Sequence, residues 1–489
     1  MLQLIRQLTP LQATLWLIAA SSLLRLVAAS ASGLSVDEAH YALYGLHLDW
    51  SYFDHPPIVG WIQALTLQLG DSDRMLRLPA ILLFAAISLV LFRFCSVAFP
   101  LDSPWLGFVS VALLHSAAML QLIGFALIPE TPLMLFALLS LLALHGALTR
   151  DDVTPWLLLG VCLGLAGLSK YTAVTLIVTV LLVIAMTQQW GKLRRVGPWF
   201  ALLLGLVLIL PILYWNWQHE WLSFSYQLQH GSRNPDWLWL RFMSAQLAQL
   251  VVFGPLLIVF GIVALVSAWQ ERTHLGVLLC MATALPILLL FGAGAGREMT
   301  LPHWTALAWV ALIPLSARWI MAHWQRGWVR VVTWFSAGYA MLFLLFMFAG
   351  LVHPQILGNG RDNALVDLYG WQQAAQSAEK LRGEMAATTG TEPLLFVSNW
   401  TQASRLAWYA RPSNVQVLDD RHDQFDLWYG HPQTGARGIL VMWPETSAAE
   451  ITAISTLFDV CSPAGNFAAI VQGTEISKFN FYRCEGWHG

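Results

Sequence analysis

Long apolar runs make up most of the first 352 residues, and short polar segments separate them. A transmembrane helix needs about 20 mainly apolar residues to cross roughly 30 Å of hydrocarbon. The runs predict eleven spans, over residues 11–32, 78–99, 104–125, 129–148, 155–168, 171–189, 197–215, 244–268, 275–292, 303–321 and 331–352. A further apolar run at 56–70 begins with two prolines and is too short to span, so we expect an interfacial helix there.

The charges in the short loops predict the orientation of these spans. With a cytoplasmic N-terminus, the short loops on the cytoplasmic side carry more Lys and Arg than those outside, as the positive-inside rule requires. Eleven spans then place three large segments outside, namely 33–77, 215–243 and 353–489. In a bacterium this side is the periplasm, so we expect the chemistry at the periplasmic face of the inner membrane.

Residues 353–489 have the composition of a soluble domain, which sets them apart from the membrane part at 1–352. Two predicted helices, 364–386 and 402–410, are interleaved with predicted strands at 393–398, 438–443 and the chain end. Alternation of this kind is typical of a small α/β layer. Cys461 and Cys484 lie in this segment, either as a disulfide or as two small buried thiols.

Composition agrees with an all-α polytopic membrane protein that carries a small extramembrane domain. The chain is 57% hydrophobic and only 11% charged, whereas soluble globular proteins carry about 25% charged residues. Its net charge of −2 argues against a nucleic-acid partner, which would require a basic surface.

The first outer segment, 33–77, is rich in carboxylates and begins close to the end of the first span. Carboxylates near the membrane are costly unless they are paired or face water, so Asp37 and Glu38 are candidates for chemistry. The stretch from Asp37 onward contains no helix breaker, and a helix would place His40 and Tyr41 on the same face as Asp37. A polar and aromatic stripe of this kind suits a sugar and a phosphate.

Residues 37–41, Asp-Glu-Ala-His-Tyr, resemble the Asp-Glu-Ala-Arg-Tyr stretch of bacterial aminoarabinose transferases and their protein-mannosyltransferase-like relatives. These are membrane glycosyltransferases of the GT-C fold, of the glycosyltransferase family 39 type. Further segments that resemble theirs follow in the same order, at 52–57, 128–133, 168–171, 297–304, 367–371 and 420–428. Each segment alone is a weak signal, and their order makes the resemblance specific.

The chain departs from the family pattern at two positions. His55 stands where the aminoarabinose transferases carry Lys before a proline, and Glu130 stands where the family often has Asp in an Asp-Thr-Pro turn. Histidine is only partly charged near neutral pH. These changes leave the exact donor and any dependence on a metal ion open.

The resemblance implies transfer of one sugar, with inversion, from a polyprenyl-phosphate-sugar to a periplasmic acceptor. The acceptor is lipid A or lipopolysaccharide, another glycan or a protein, and the sugar is mannose, aminoarabinose, a uronic acid or another hexose. We expect Asp37 as general base, with Glu38 as a second catalytic carboxylate. The residues expected to bind the donor phosphate or the sugar are His55, Lys170, Arg297, Glu130, His303, Tyr41 and Arg74. Asp54 is the candidate ligand for a divalent metal ion.

Six of these candidates also have a structural interpretation. The alternatives are a helix cap for Asp37, a membrane-surface ammonium group for Lys170, a helix-dipole acid for Glu130, an ion pair with Glu298 for Arg297 and an interfacial position for His303. Asp54 could instead pair with His55 or Lys170, or form a turn. The Trp-rich segment 215–243 is either an aromatic belt at the interface or a lid over the acceptor.

A membrane transporter or flippase is the rival from another functional class. It would require buried charges at mid-membrane and internal repeats. We detect no repeat, and Arg25, the exception among the nearly uncharged spans, can extend outward to the membrane surface. A ligase-type polymerase of similar fold is a nearer rival, because it would use donors of the same kind.

Overall fold

The computed structural model describes residues 8–230, 236–358, 362–363, 365–443 and 448–489. Its α-helices are α1 (Pro10–Ala28), α2 (Val36–Leu46), α3 (Ile58–Leu67), α4 (Asp73–Ala98), α5 (Leu106–Ser116), α6 (Ala118–Ile123), α7 (Glu130–Thr149), α8 (Thr154–Ser169), α9 (Val174–Met186), α10 (Val196–Gln218), α11 (Leu222–His230), α12 (Trp239–Ala268), α13 (Leu275–Ala295), α14 (Ala306–Ala322), α15 (Gly327–Val352), α16 (Trp371–Thr389), α17 (Trp400–Tyr409), α18 (Gln424–Tyr429) and α19 (Ala448–Ser455). Its strands are β1 (Leu394–Val397), β2 (Val415–Val417), β3 (Gly438–Met442), β4 (Phe458–Val471) and β5 (Thr474–Trp487).

Every predicted span coincides with helix, which confirms the helical membrane part. Among the described residues, eight helices are long and apolar enough to cross a membrane. The other predicted spans, 104–125, 155–168 and 171–189, are shorter helices, and the first is broken by the extended backbone of Ala117 between α5 and α6. The apolar run at 56–70 forms α3. The number of true spans and the side of the N-terminus stay predictions.

The chain divides into two compact units. The membrane unit consists of the described residues of Met1–Leu26, Asp49–Val59 and Arg77–Leu344. The C-terminal unit consists of the described residues of Val27–Leu48, Gly60–Leu76 and Leu345–Gly489. The predicted outer segment 33–77 is therefore shared between the two units, and the domain boundary at 352/353 stays a prediction.

The membrane unit is built around α14, whose residues from Ala306 to Ala317 are all buried. Helices α8 and α10 pack closely at Gly160. The helices are so close there that an added Cβ would clash with the backbone of Ala201. Helix α12 is kinked at Gly254, which has a φ of 80° and precedes Pro255. Only glycine adopts this conformation readily, and the proline ring cannot continue the preceding hydrogen-bond pattern.

Arg25 differs from its expected position, because it does not extend to the membrane surface. Its side chain is only 1% exposed and lies among helices of the membrane unit. The guanidinium donates to Gln121 at 2.5 Å and to Ser21 at 3.2 Å, and it lies 4.4 Å from the ring centre of Phe84. These partners stabilise the charged group inside the unit, which a one-dimensional pattern did not reveal.

The C-terminal unit contains the predicted small α/β layer. Its sheet has the strand order β2-β1-β3-β5-β4, in which β1 is parallel to β2 and β3, and β5 is antiparallel to β3 and β4. The predicted helix at 364–386 begins later, as α16, because Gly370 adopts a φ of 89° immediately before it. Residue 364 lies outside the described residues.

Strands β4 and β5 form a long hairpin that is closed by a disulfide. Cys461 lies directly opposite Cys484 in the strand register, and their sulfur atoms are bonded. Of the two alternatives for these cysteines, the structure therefore shows the disulfide. The cysteines of the membrane unit, Cys95, Cys162 and Cys280, are free and buried, as expected of packing residues.

Candidate functional site

Lys170 and Glu130 form a buried ion pair in the membrane unit. Glu130 is the first residue of α7, where the positive end of the helix dipole favours a carboxylate. Lys170 comes directly after the last residue of α8, and its backbone is extended. Its side chain therefore does not continue the helical arrangement of the α8 side chains. Lys170 Nζ contacts Glu130 Oε1, and the two residues are 8% and 3% exposed. Lys170 is therefore not the surface lysine of the structural alternative.

His303 joins this pair on the same carboxylate oxygen. Its Nε2 lies 3.5 Å from Glu130 Oε1, and its side chain is 20% exposed. A hydrogen-bonded triad fixes the helix turn that carries it, because Thr305 Oγ1 and Trp309 Nε1 both donate to Gln249 Oε1, at 2.9 and 3.0 Å. We call Glu130, Lys170 and His303 the polar cluster. A narrow pocket contacts all three side chains.

His55 and Asp54 lie on the loop at 49–59, which also belongs to the membrane unit. His55 Nε2 is 3.9 Å from Asp54 Oδ2. Burial lowers the pKa of the His55 imidazole, while the Asp54 carboxylate opposes this shift. The charges of Lys170 and Glu130 also act on the pKa of His55, so its ring lies within electrostatic range of the polar cluster.

The Trp-rich segment 215–243, which begins in the last turn of α10, holds this loop in place. Its hydrogen bonds to the loop run from Trp215 Nε1 to Asp49 Oδ2 at 2.7 Å, from Ser223 Oγ to the Tyr52 carbonyl at 2.8 Å, and from Gln227 Nε2 to the Asp54 carbonyl at 2.8 Å. Other rings of the segment, such as those of Trp217 and Trp221, are exposed, as expected of an aromatic belt. The segment thus also positions the loop that carries His55. Its residues 231–235 lie outside the described part of the chain.

A large apolar cavity of about 590 Å³ lies between α8, α9 and α10. Side chains such as Leu163, Ile177 and Leu206 form its walls. Lys170 lines this cavity and also the narrow pocket of the polar cluster. A ligand with an anionic group and a long apolar chain matches this combination, because the chain would fill the cavity while its charge meets Lys170.

Asp37 and Glu38 lie in the first turn of α2, in the C-terminal unit. Glu38 completes a capping box with Ser35: its Oε2 accepts from the Ser35 backbone amide at 3.0 Å and from Ser35 Oγ at 2.9 Å. Glu38 is 4% exposed, and these contacts favour a structural role for it. Asp37 is partly exposed at the preceding position of the helix.

The predicted stripe on α2 forms, and the C-terminal unit covers it. Tyr41 is 4% exposed, and its ring centre lies 5.6 Å from that of Tyr44. His40 Nδ1 lies 3.0 Å from Ser404 Oγ of α17, and its ring packs against Trp400. Contact of Tyr41 with a substrate stays a prediction.

The two remaining arginine candidates are both exposed. Arg74 lies in the first turn of α4, and Arg297 follows α13, where its backbone carbonyl accepts from Arg241. Arg297 is absent from the lining of the narrow pocket. Sequence reasoning missed Arg77, which is 1% exposed in the membrane unit and lies 4.6 Å from the ring centre of Phe125. Nothing in the sequence pattern distinguished it from the exposed Arg74, three residues earlier.

The described residues do not make up a metal site from protein ligands. Within 8–230, 236–358, 362–363, 365–443 and 448–489, no three His, Cys, Asp or Glu side chains come together in a way that could hold an ion. Asp54 has His55 as its neighbour. We therefore derive no step that uses a metal ion.

Comparison with known proteins relates the chain to transferases in sequence. The family model described as dolichyl-phosphate-mannose-protein mannosyltransferase matches residues 54–215. The lipid A galacturonosyltransferase RgtD of Rhizobium johnstonii is 25% identical over 403 residues, which are 79% of this chain and 80% of that protein. The lipopolysaccharide core galacturonosyltransferase RgtA of the same organism is 30% identical over 190 residues, 37% of each chain.

Comparison with solved structures relates the chain to ArnT in fold. ArnT from Cupriavidus metallidurans in the apo state superposes with a TM-score of 0.66 and 15% identity, over 96% of this chain and 97% of that one. The same protein bound to undecaprenyl phosphate gives a TM-score of 0.65 and 17% identity, with the same coverage. The predicted GT-C fold is thereby confirmed.

Proposed function

Since the chain is a multi-pass membrane glycosyltransferase of the GT-C fold, we propose that it transfers a single sugar from a polyprenyl-phosphate-sugar to lipid A or the lipopolysaccharide core. RgtD and RgtA act on these acceptors, which supports the proposed acceptor. An ArnT structure holds undecaprenyl phosphate, which supports the proposed lipid carrier of the donor. Both relatives are galacturonosyltransferases, so a uronic acid is the first sugar to consider. We place the reaction at the periplasmic face of the bacterial inner membrane.

The observation that carries this proposal is that Lys170 borders both a polar site and an apolar cavity. Its ammonium group belongs to the buried polar cluster, and its side chain also borders the apolar cavity. A polyprenyl phosphate has the same two parts, one anionic and one long and apolar. Burial strengthens the attraction between ammonium and phosphate, because the surroundings screen charge less than water does.

The proposed mechanism is an inverting displacement. The acceptor hydroxyl attacks the anomeric carbon while the bond from that carbon to the phosphate oxygen breaks, and the bonding electrons pass to the phosphate. The phosphate thus gains a second negative charge, which Lys170 and His55 stabilise. Asp37 accepts the hydroxyl proton as general base. The Asp-Glu motif at the start of α2 supports the choice of Asp37.

The proposal is tested on the purified chain in detergent with a panel of undecaprenyl-phosphate-sugars. The panel contains galacturonate, aminoarabinose and mannose donors, each with lipid A and with lipopolysaccharide core as acceptor. We expect transfer from one donor, detected by mass spectrometry as an acceptor that is heavier by one sugar residue. Absence of both binding and transfer across the whole panel would contradict the proposed donor class.

The apolar cavity gives a separate prediction about the lipid chain. Gly205 of α10 lines the cavity, and an added Cβ would lie 3.6 Å from its nearest neighbour, which is ordinary contact. Gly205→Leu should therefore fold and fill part of the cavity. We expect the KM for an undecaprenyl donor to rise about tenfold, since each buried methylene is worth about 0.8 kcal/mol. The KM for a donor with a ten-carbon geranyl chain should rise much less.

The matched control is Gly338→Leu. Gly338 lies in α15, and a Cβ added there would have no other atom within 4 Å, so the same change adds a side chain in open space. Its KM for both donors should stay as in the wild type. If Gly205→Leu raised the KM equally for donors with long and with short lipid chains, the cavity would not be the place that holds the lipid chain.

A further inference from the structure

The polar cluster is balanced in charge as it stands. Glu130 carries one negative charge and Lys170 one positive charge, and their ion pair is buried. A protonated His303 would add an unbalanced positive charge among largely apolar neighbours, which is unfavourable. An ordinary imidazole is mostly neutral at pH 7, so we take His303 as neutral before a donor binds.

Arrival of a phosphodiester disturbs this balance. The phosphate brings one negative charge, and Lys170 is the buried ammonium group that borders the cavity. As Lys170 turns toward the phosphate, Glu130 loses its cation. A buried carboxylate without a partner costs several kcal/mol, so the cluster needs a second positive charge.

His303 is placed to supply that charge, because its Nε2 already faces the same oxygen of Glu130 that Lys170 contacts. We propose that, when the donor phosphate binds, the Glu130 carboxylate changes its ion-pair partner from Lys170 to His303, and the His303 imidazole takes up one proton from solvent. We call this exchange of partners the hand-over. The inference rests on the proposed donor class and gives His303 the role of a positioning residue. The imidazole then carries a hydrogen on both ring nitrogens, so Nε2 can donate to Glu130, and no covalent bond to the donor forms.

The groups that face His303 support this assignment. Glu130 on α7, Lys170 after α8 and His55 on the loop at 49–59 are the charged and titratable groups that act on it among the described residues. His55 has its own carboxylate neighbour, Asp54. Of the two histidines, His303 is therefore the one for which Glu130 is the paired carboxylate.

The hand-over predicts a pH dependence of donor binding. The probe is undecaprenyl methyl phosphate, a phosphodiester that keeps one negative charge between pH 7 and 9. Because the complex holds one more proton than the free protein, the Kd should rise about tenfold per pH unit in this range. Calorimetry in two buffers of different ionisation enthalpy should show uptake of about one proton at pH 8.

Two variants separate the hand-over from a merely structural role. Glu130→Gln removes the carboxylate that needs a new partner, so it should bind the probe at least as tightly at pH 8 and lose the pH dependence. His303→Gln should also lose the pH dependence but bind about tenfold more weakly at pH 7, since Glu130 is left without a cation. His55→Gln should keep the wild-type slope. His323→Gln, at the other end of α14, is the control for a histidine change and should match the wild type.

The outcomes distinguish this inference from the proposed function. Wild-type binding that is constant from pH 7 to 9 would overturn the hand-over while leaving the donor class intact. The hand-over would also be overturned if the pH dependence of the Kd persisted in His303→Gln and disappeared in His55→Gln. Failure of the wild type to bind the probe or any polyprenyl donor would overturn the donor class and the hand-over with it.

Discussion

Lys170→Ala is expected to weaken binding of undecaprenyl methyl phosphate at least 100-fold, with a matching loss of transfer. The lysine is the buried cation that links the polar cluster to the apolar cavity. A hydrogen-bonded charge pair in a desolvated site is worth about 2–5 kcal/mol when one partner is removed. Direct measurement of Kd at pH 7.5, beside the rate of sugar transfer, checks this expectation.

Loss of stability has to be separated from loss of binding in this variant. Alanine leaves Glu130 buried without its ammonium partner, and breaking a buried pair in this way costs about 3–5 kcal/mol. The double variant Lys170→Met, Glu130→Gln removes both charges and keeps similar side-chain volume. It should regain much of the thermal stability, measured in detergent, while its affinity for the probe stays low.

Lys192→Ala is the matched control. Lys192 also lies in the membrane unit, where its Nζ pairs with the exposed Asp151 at 3.0 Å. An exposed pair of this kind contributes about 0–1 kcal/mol, so both Kd and stability should change little. If the double variant binds the probe as the wild type does, Lys170 is a structural residue and the phosphate site lies elsewhere.

The helical membrane part could be predicted because hydrophobicity along the chain reports directly on burial in lipid. The break at Ala117 and the kink at Gly254 could not be located in this way, since both interrupt runs that stay apolar. Arg25 shows the same limit. A single arginine in an apolar run is compatible with the surface or the interior, and only the positions of Gln121 and Phe84 decide between them.

The members of the polar cluster could be named from the sequence, but their relation to one another could not. Glu130 and Lys170 are 40 residues apart, and His303 lies on a third segment, so tertiary packing alone brings them together. Their contact changes the interpretation of Glu130. A carboxylate would repel a phosphate directly, whereas here it holds two potential cations beside the place where the phosphate is proposed to bind.

Glu38 carries a local sequence signal that favours a structural role over a catalytic one. Ser35 followed by Glu38 three positions later is the pattern of a capping box, which the structure shows. The pattern is legible without any knowledge of tertiary contacts. Asp37 is the neighbouring carboxylate of the same motif, in the first turn of α2, and it is the base in the proposed mechanism.

Asp37→Asn is expected to lower kcat for transfer about 100- to 10,000-fold, the usual contribution of a positioned general base. The amide is close in size to the carboxylate but cannot accept the hydroxyl proton, so α2 and donor affinity should be preserved. We expect a Kd for undecaprenyl methyl phosphate within about twofold of the wild-type value, because proton transfer takes no part in donor binding. Single-turnover transfer and probe binding on the same preparation measure the two quantities separately.

Asp73→Asn provides the matched control for Asp37→Asn. Asp73 lies in the same unit, at the start of α4, and its Oδ2 accepts from Tyr409 at 2.8 Å, a bond that an asparagine oxygen can also accept. Its kcat should therefore stay near the wild-type value. The third variant is Glu38→Gln, whose amide oxygen can still accept from the Ser35 backbone amide, so the capping box and the stability should change little. If Asp37→Asn kept wild-type turnover while Glu38→Gln lost most of its turnover at unchanged stability, Glu38 rather than Asp37 would be the base.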